Sequence, residues 1–369
     1  MTNRPDRQCV RDLKPKDSVD EIFLLKSITM QESKDGKKYL NIILADATGD
    51  VEGRVWNIAE EMMKNVDRGD YVKCIGKVNF FQGRRQVNIN ELTKISSAQI
   101  NKEDFILKSK ENPEVMFQEL LEIVESMNDV YLKLLLQYVL GDEEIARRLK
   151  TWQAGKSVHH AYQSGLLEHI LSSTILGTTL ARHYGVNHNY VIAGNILHDI
   201  CKIYELSDGV NVEYTEEGKL VGHLVKGVEL LDRFAYRIKN FPHVMKMHLK
   251  HILVAHHGEY AFGSPKLPST SEAYLVHIID MMDSKMNAFE MSKRMDNSSG
   301  NWTGYIKHLD RVIYKAELPF YDQFIEDETS VAPHVAHSSK SQVPNKLGPG
   351  KELKQNLGDL LGGIKITKD

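Results

Sequence analysis

Histidine and aspartate residues recur in a fixed order through the middle of this sequence. The set consists of His169, the doublet His198-Asp199, His223, the doublet His256-His257, and Asp280. The spacing predicts that its members lie on separate helices or at their ends, so that several helices converge on one centre. A single histidine on an apolar helix is more often a hydrogen-bonded core residue. An ordered set across about 110 residues is far more specific, and all seven residues are predicted to be metal ligands.

The mixture of imidazole nitrogens and carboxylate oxygens indicates which metals the centre takes. These donors suit Mn, Fe, Co, Ni or Zn better than a site built only from oxygen ligands, which favours Mg or Ca. An aspartate beside a histidine, as Asp199 is beside His198, can bridge two ions. Two ions about 3.5 to 4 Å apart lower the pKa of a shared water and clamp a phosphoryl group during in-line attack. The sequence therefore predicts a divalent transition metal and hydrolysis of a phosphate ester.

Asp199 and Lys202 are the predicted catalytic residues. Lys202 follows Asp199 by three residues on the same predicted helical face, so its ammonium can neutralise charge on the non-bridging phosphate oxygens. His159 and His160 are placed at the start of the helix that carries His169, and both are candidates for substrate contact. A surface pair at a helix terminus explains them equally well.

Two kinds of secondary structure are predicted to position these residues. From residue 18 to residue 100 the sequence reads as five strands with a helix over 59–66 between the third and the fourth, which is the arrangement of an OB-fold barrel. From residue 101 to about 325 the apolar period is 3.6, which predicts an all-α domain. Asn112 and Pro113 mark a helix start, and Gly141, Gly185 and Gly300 mark helix ends.

The barrel carries the mixture of aromatic and basic residues with which OB folds bind single strands. The predicted nucleic-acid contacts are Trp56, Lys73, Lys77, Phe80, Phe81, Arg84 and Arg85. Strand alternation predicts that either Phe80 or Phe81 points into the barrel core. An alternative explains the hairpin arginines as well as nucleic-acid binding does: they only keep the turn soluble.

Composition limits the remaining possibilities. The chain has 369 residues, a formal net charge of -3, and three cysteines that form no CxxC pair, so a zinc ribbon or a disulfide framework is excluded. The sequence shows no leader and no apolar run of membrane-spanning length, and a cytoplasmic location is expected. Residues 1–17 are predicted to form an N-terminal arm, and residues 326–369 a flexible tail whose partner is unknown.

At the metal-ligand residues the chain resembles the HD superfamily of metal-dependent phosphohydrolases, and the stretch from Asp199 to Lys202 is similar to its lysine-bearing variant. An OB fold directly before such a domain resembles the YhaM-type 3′-to-5′ exoribonucleases, over about residues 18 to 322. The segment from His159 to His169 is also similar to theirs. The resemblance implies manganese- or cobalt-dependent removal of nucleotides from single-stranded RNA, and from DNA in some members. HD proteins with three metals carry a glutamate where this chain has Gly165, so two ions are expected, most readily manganese.

Two other functions stay open at this point. One is an HD phosphodiesterase that acts on small nucleotides, against which the basic hairpin of the barrel counts. The other is a nucleic-acid-binding protein that keeps an inactive HD scaffold, against which the complete ligand set counts. The oligomeric state, including a homo-oligomer, is left undecided by the sequence.

Overall fold

The computed structural model describes residues 7–33, 35–56, 65–81, 84–156, 158–209, 212–296, 298 and 300–318. The greater part of the predicted helix at 59–66, the Gln82-Gly83 turn and the tail at 326–369 lie outside these residues. In the part of the chain that is described, no helix is long and apolar enough to cross a membrane. The three cysteines are free thiols.

The first part of the chain is a closed five-stranded barrel. Its strands are β1 (Ser18–Glu32), β2 (Lys38–Asp46), β3 (Gly49–Val55), β4 (Tyr71–Phe81) and β5 (Arg84–Ile95). The order around the barrel is β1-β2-β3-β5-β4, with β3 and β5 parallel and the other pairs antiparallel. Alternate residues such as Phe23, Ile42 and Val87 fill the interior. The predicted OB fold is confirmed.

The second part is a helical bundle around one apolar core. Its helices are α1 (Pro113–Glu125), α2 (Val130–Leu140), α3 (Glu143–Leu149), α4 (Gly165–Tyr184), α5 (His188–Leu197), α6 (Lys202–Glu205), α7 (Glu216–Leu220), α8 (Gly222–Ala235), α9 (His243–Ala255) and α10 (Ser271–Met295). Asn112 caps α1 through its side chain, and Gly185 ends α4 in a left-handed conformation, as predicted. The longer helices bury leucine, isoleucine and valine side chains in this core, whereas the short helix α7 buries none.

The last helix ends earlier than the sequence pattern predicts. α10 stops at Met295 and the next residue, Asp296, is extended, so Gly300 does not end a helix. Residues 300–318 instead contain short bridges that pair Trp302 with Tyr314 and Ile306 with Arg311. Within this segment Ile313 is buried whereas Trp302 and Tyr305 are exposed, so its apolar residues do not form the buried stripe of a helix.

A linker of two short 3-10 turns joins the barrel to the bundle and packs on both. Phe105 lies against Tyr71 of the barrel, with ring centroids 4.9 Å apart. Further along, Gln163 donates its backbone N–H to Leu107 and accepts from Ser109. Gln163 belongs to the loop before α4. The barrel and the bundle are part of one compact unit, which extends to Ala316. The linker therefore ties the barrel to the loop that precedes the first predicted metal ligand.

Candidate active site

Four of the predicted ligands meet in a first cluster, which we call the His169 group. It contains His169 from α4, His198 and Asp199 directly after α5, and Asp280 from α10. The Nε2 atom of His169 lies 3.1 Å from Nε2 of His198 and 3.4 Å from Oδ1 of Asp280. It also lies 3.5 Å from Oδ2 of Asp199. Helices that are far apart in sequence thus place four donor atoms around one point.

The remaining three ligands form a second cluster, the His223 group. It contains His223 near the start of α8 with His256 and His257 directly after α9. The Nε2 atoms of His223 and His257 lie 3.2 Å apart. The Oδ1 atom of Asp199 lies 3.5 Å from Nε2 of His223 and 3.7 Å from Nε2 of His256. One oxygen of Asp199 therefore faces each group.

Each of the five imidazoles is held by its Nδ1 atom, so that Nε2 points to the centre. The Nδ1 partners are Asp283 for His169, the Asn195 carbonyl for His198, Glu205 for His223, the Leu253 carbonyl for His256 and the Phe262 carbonyl for His257. A carboxylate or carbonyl oxygen can only accept, so Nδ1 carries the proton in every case. These bonds fix the tautomer that a metal-binding histidine requires.

The donor atoms fit a divalent metal. Oδ1 of Asp199 and Nε2 of His256 are buried and have no hydrogen-bond partner among the described residues. Two buried acceptors this close together are costly unless a cation satisfies both. Burial lowers the pKa of His198 and of His256, which keeps both rings neutral and ready to ligate. Mixed nitrogen and oxygen donors are those of transition-metal sites.

The carboxylates of the centre are held in their charged form, as ligands of a cation must be. Burial by itself raises the pKa of Asp199, but Lys202 and His198 outweigh burial and hold that pKa well below its ordinary value. Burial lowers the pKa of His169, but Asp280 and Asp283 outweigh it and raise this pKa to about 10. The neighbouring carboxylates thus favour positive charge at the position of His169.

Lys202 contacts the shared carboxylate, although the local structure differs from the prediction. Asp199 lies in the turn between α5 and α6, and Lys202 begins α6, so the two residues are not on one helix. Their three-residue separation still places Nζ of Lys202 2.6 Å from Oδ2 of Asp199. Burial lowers the pKa of Lys202, but Asp199 and Asp280 outweigh this effect and raise it. Lys202 is therefore a buried cation beside the ligands.

The predicted pair His159 and His160 is divided between two environments. Both precede α4, because His160 and Ser164 adopt left-handed conformations and the helix begins only at Gly165. His160 is buried, with Nε2 2.9 Å from Oδ2 of Asp283, so it lies behind the ligands and the prediction of substrate contact is wrong for it. His159 lines the cavity in front of the centre, and burial lowers its pKa to about 4.

Asp283 and Glu205 are functional residues that sequence reasoning missed. Asp283 lies three residues after Asp280 on α10, and its Oδ2 is 2.7 Å from Nδ1 of His169. Glu205 lies three residues after Lys202, with Oε1 2.9 Å from Nδ1 of His223. The three-residue spacing from a predicted site residue was the available signal, because it places side chains on one face of a helix.

Asp283→Asn is expected to weaken binding of one of the metal ions by about 10- to 100-fold, since a neutral amide orients and polarises His169 less well than a carboxylate does. Calorimetric titration with Mn²⁺ measures the effect. Asp232→Asn is the matched control. Asp232 lies on α8 and pairs with Lys250 on α9, away from the site, so this substitution is expected to leave the affinity for Mn²⁺ unchanged. Unaltered affinity in Asp283→Asn would show that this carboxylate does not support the site.

A cavity of about 270 Å³ opens in front of the centre. Its walls include the metal-ligand candidates Asp199, His257 and Asp280 together with His159, Lys202, Phe262, Ser284 and Lys285. The cavity is therefore floored by ligand atoms and carries cationic and aromatic side chains on its walls. This combination suits a phosphate ester that is joined to a ring.

On the barrel, Trp56 lies beside Tyr39 and Arg54, two residues that the sequence analysis did not predict as contacts for nucleic acid. Its indole stacks on Tyr39 with ring centroids 4.8 Å apart, and the guanidinium of Arg54 lies 4.8 Å from the centroid of Tyr39. Trp56 is 47% exposed. β2 and β3 thus present an aromatic and cationic surface on the face that OB folds use for oligonucleotides.

The β4–β5 hairpin differs from the prediction in two ways. Phe80 and Phe81 are 43% and 58% exposed, so neither fills the barrel core, because β4 extends past the end of the barrel there. Arg85 is half-buried, and its Nη1 donates to the carbonyls of Val10, Arg11 and Leu13. Arg85 instead holds the N-terminal arm against the barrel.

The structure places the other three basic residues that were predicted to contact nucleic acid in different surroundings. These residues are Lys73, Lys77 and Arg84. Lys73 is paired with Asp20 at 3.0 Å, which reduces the charge it offers. Lys77 is exposed on β4. Arg84 begins β5, and its side chain lies outside the described part of the structure.

An OB-fold nucleic acid binding domain model matches residues 24–95, and an HD domain model matches residues 166–285. The barrel, the bundle and the two ligand groups define an OB-fold protein with a metal-dependent HD phosphohydrolase domain. A curated protein of Oceanobacillus iheyensis, named 3′-5′ exoribonuclease YhaM, is 32% identical over 274 residues, 73% of this chain and 85% of that protein. A Geobacillus protein of the same name is 31% identical over 276 residues, 74% of this chain and 84% of that protein. The chain belongs to the YhaM family.

Among solved structures, the second OB-fold domain of replication protein A from Methanococcus maripaludis is 21% identical. The match covers 25% of this chain and 97% of that domain, with a TM-score of 0.21. Because the TM-score is low, this similarity supports no conclusion about function.

Proposed function

We propose that this protein is a metal-dependent 3′-to-5′ exoribonuclease that releases nucleotides from single-stranded RNA. The observation that carries the proposal is the placement of Asp199 between the two histidine groups, with Oδ2 toward the His169 group and Oδ1 toward the His223 group. A carboxylate shared in this way is the signature of a centre that hydrolyses phosphate esters with paired ions. The direction of degradation and the RNA substrate rest on the family relatives, which are named 3′-5′ exoribonucleases. Single-stranded DNA is a further candidate substrate.

Two ions per chain are proposed, one for each histidine group, with manganese the first choice. Support against a third ion comes from Gly165, where an added Cβ would collide with the carbonyl oxygen of His160. A glutamate at that position would require the preceding loop to move, which supports the proposal of two ions. Inductively coupled plasma analysis of protein loaded with Mn²⁺ and freed of excess ions is expected to give two ions per chain, and three would contradict the proposal.

The side chains around the cavity have separate tasks in this reaction. Divalent ions held by the two histidine groups would supply an activated water and polarise the phosphoryl oxygens. Asp199 and Asp280 provide the charged ligands on the cavity floor. Lys202 lies in the same cavity and can stabilise negative charge on the phosphoryl oxygens as water attacks. Burial of these groups keeps bulk water from screening their charges.

We infer that the barrel holds the RNA upstream of the cleaved end, and that Trp56, Tyr39 and Arg54 form its main contact surface. Stacking on an exposed aromatic group is independent of sequence, which suits an enzyme that degrades a strand one nucleotide at a time. Lys77, Phe80, Phe81 and Arg84 are proposed as further contacts.

The free thiols fit the expected cytoplasmic location.

Trp56→Ala is expected to weaken binding of single-stranded RNA by about 1–3 kcal/mol without changing its salt dependence, because a stacking contact releases no counterion. Lys77→Ala is expected to lower the salt slope by about 0.7. Fluorescence anisotropy at several salt concentrations measures both quantities. Tyr184→Ala, which removes an exposed aromatic ring from the end of α4, is the control. Parental affinity in Trp56→Ala would exclude this surface.

The decisive test of the function is incubation of end-labelled single-stranded RNA with the protein and Mn²⁺. A 5′ label is expected to give a descending ladder, while a 3′ label is released at once as a mononucleotide. Chelation by EDTA stops both. Internal cleavage, or turnover of small nucleotides in place of RNA, would contradict the proposal and favour a small-molecule phosphodiesterase.

A further inference from the structure

An exposed aromatic side chain lies on the wall of the catalytic cavity. Phe262 is 65% exposed, yet it lines the same cavity as Asp199, Lys202 and Asp280. It occupies a short 3-10 turn between α9 and α10 that begins only a few residues after His257. Exposure of a phenyl ring to water is unfavourable, and a ring kept at the mouth of a catalytic cavity is suited to a ligand that covers it.

The turn that carries Phe262 is held firmly relative to the metal ligands. Its carbonyl accepts a hydrogen bond of 3.0 Å from Nδ1 of His257, so the backbone of Phe262 and a ligand imidazole are directly joined. The Ser264 hydroxyl, which is part-buried, donates to the carbonyls of Val254 and Lys266. At Gly258, φ is +80° and an added Cβ would collide with the His277 ring. The backbone of this turn is therefore tied to the metal-ligand candidates before any substrate arrives.

Other walls of the cavity are cationic and polar. Lys285 and Ser284 come from α10, and Lys202 lies deeper, beside Asp199. Lys285 has no ion-pair partner within 4 Å among the described residues, unlike Lys202. A nucleotide needs these surfaces together: an apolar face for its base and positive charge for its phosphates.

We propose that Phe262 is the platform on which the base of the 3′-terminal nucleotide stacks, while Lys285 contacts a phosphate of the same strand. The inference rests on the proposed exoribonuclease function and names the terminal-nucleotide site of that reaction. Because every base has a π face, such a platform accepts all four nucleotides. The enzyme then recognises a terminal nucleotide without reading its sequence.

The test compares two RNA substrates that differ only in whether the 3′-terminal nucleotide carries a base. For the parent protein, removal of the base is expected to lower kcat/KM for release of the first nucleotide by about 5- to 150-fold, the range for one base stacked on one aromatic ring. Phe262→Ala is expected to show the same loss on intact RNA and no further loss on the abasic end. Phe262→Trp is expected to restore discrimination.

Tyr260→Ala is the matched control, because Tyr260 lies on the same turn, is 66% exposed, and does not line the cavity. It is expected to behave as the parent does. Calorimetry with Mn²⁺ checks that Phe262→Ala binds the metal normally, since only a backbone carbonyl contacts His257. An equal loss on both substrates, or no loss on intact RNA, would overturn the platform. Failure of the proposed function is distinguished by the parent protein, which would then release no nucleotide from intact RNA.

Discussion

Asp199→Asn is expected to abolish nucleotide release, with a fall in kcat of at least about 10³-fold, or ~4 kcal/mol of transition-state stabilisation. The reason is that, among the residues the structure describes, Asp199 alone has one oxygen toward each histidine group. An amide keeps the shape of the carboxylate but removes its charge and replaces one ligand oxygen by an NH₂ group that cannot ligate, so one histidine group loses its oxygen ligand and the charge balance against Lys202 is lost. End-labelled RNA with Mn²⁺ measures the rate.

Three further measurements separate a chemical effect of Asp199→Asn from misfolding. Circular dichroism is expected to match the parent, metal analysis to give fewer than two bound ions, and RNA affinity to stay unchanged because the barrel surface is intact. Asp208→Asn alters an exposed carboxylate in the loop after α6 and is the control. Nucleotide release by Asp199→Asn at the parental rate would exclude the shared-ligand role.

Lys202→Ala is expected to lower kcat by about 10²- to 10³-fold while the protein still binds two metal ions. Lys202 lies in the cavity 2.6 Å from Asp199, where a buried ammonium can stabilise charge on the phosphoryl oxygens. It donates hydrogen bonds and cannot ligate a cation, so its removal affects chemistry more than metal content. Single-turnover rates with saturating RNA measure this effect.

Lys202→Arg separates charge from geometry in the same assay. A guanidinium keeps the charge but not the compact shape of an ammonium, so partial activity is expected. Lys285→Ala, at the outer wall of the cavity, is expected to raise KM more than it lowers kcat. If Lys202→Ala lost its metal ions as well as its activity, the lysine would be a support for Asp199 and not a direct participant.

The convergence of the candidate ligands could be predicted from the sequence because their order is itself informative. His169, His198, Asp199, His223, His256, His257 and Asp280 all reach the two groups. Asp283 and Glu205 were missed because a carboxylate that orients an imidazole has no sequence pattern of its own. Its role follows only from which nitrogen it contacts.

The errors on the barrel have a different origin. A basic residue on a strand is compatible with a phosphate contact and with a backbone contact, and only the position of the N-terminal arm decides this for Arg85. Strand alternation failed for Phe80 and Phe81 because it applies only where a strand still borders the core. The overall fold was predictable, since five strands followed by a 3.6-residue period leave few alternatives.

The anchors of the five imidazoles differ in how much sequence change they tolerate. His198, His256 and His257 are fixed by carbonyl oxygens of the main chain, which every amino acid supplies. The side chains at 195 and 253 therefore play no part in orienting these ligands, and both are constrained by burial in the interior instead. His169 and His223 depend on the carboxylates of Asp283 and Glu205, which no other residue type replaces fully. Sequence constraint around this centre is thus of two kinds: an acidic side chain is required at 205 and 283 to orient an imidazole, whereas packing alone limits the side chains at 195 and 253.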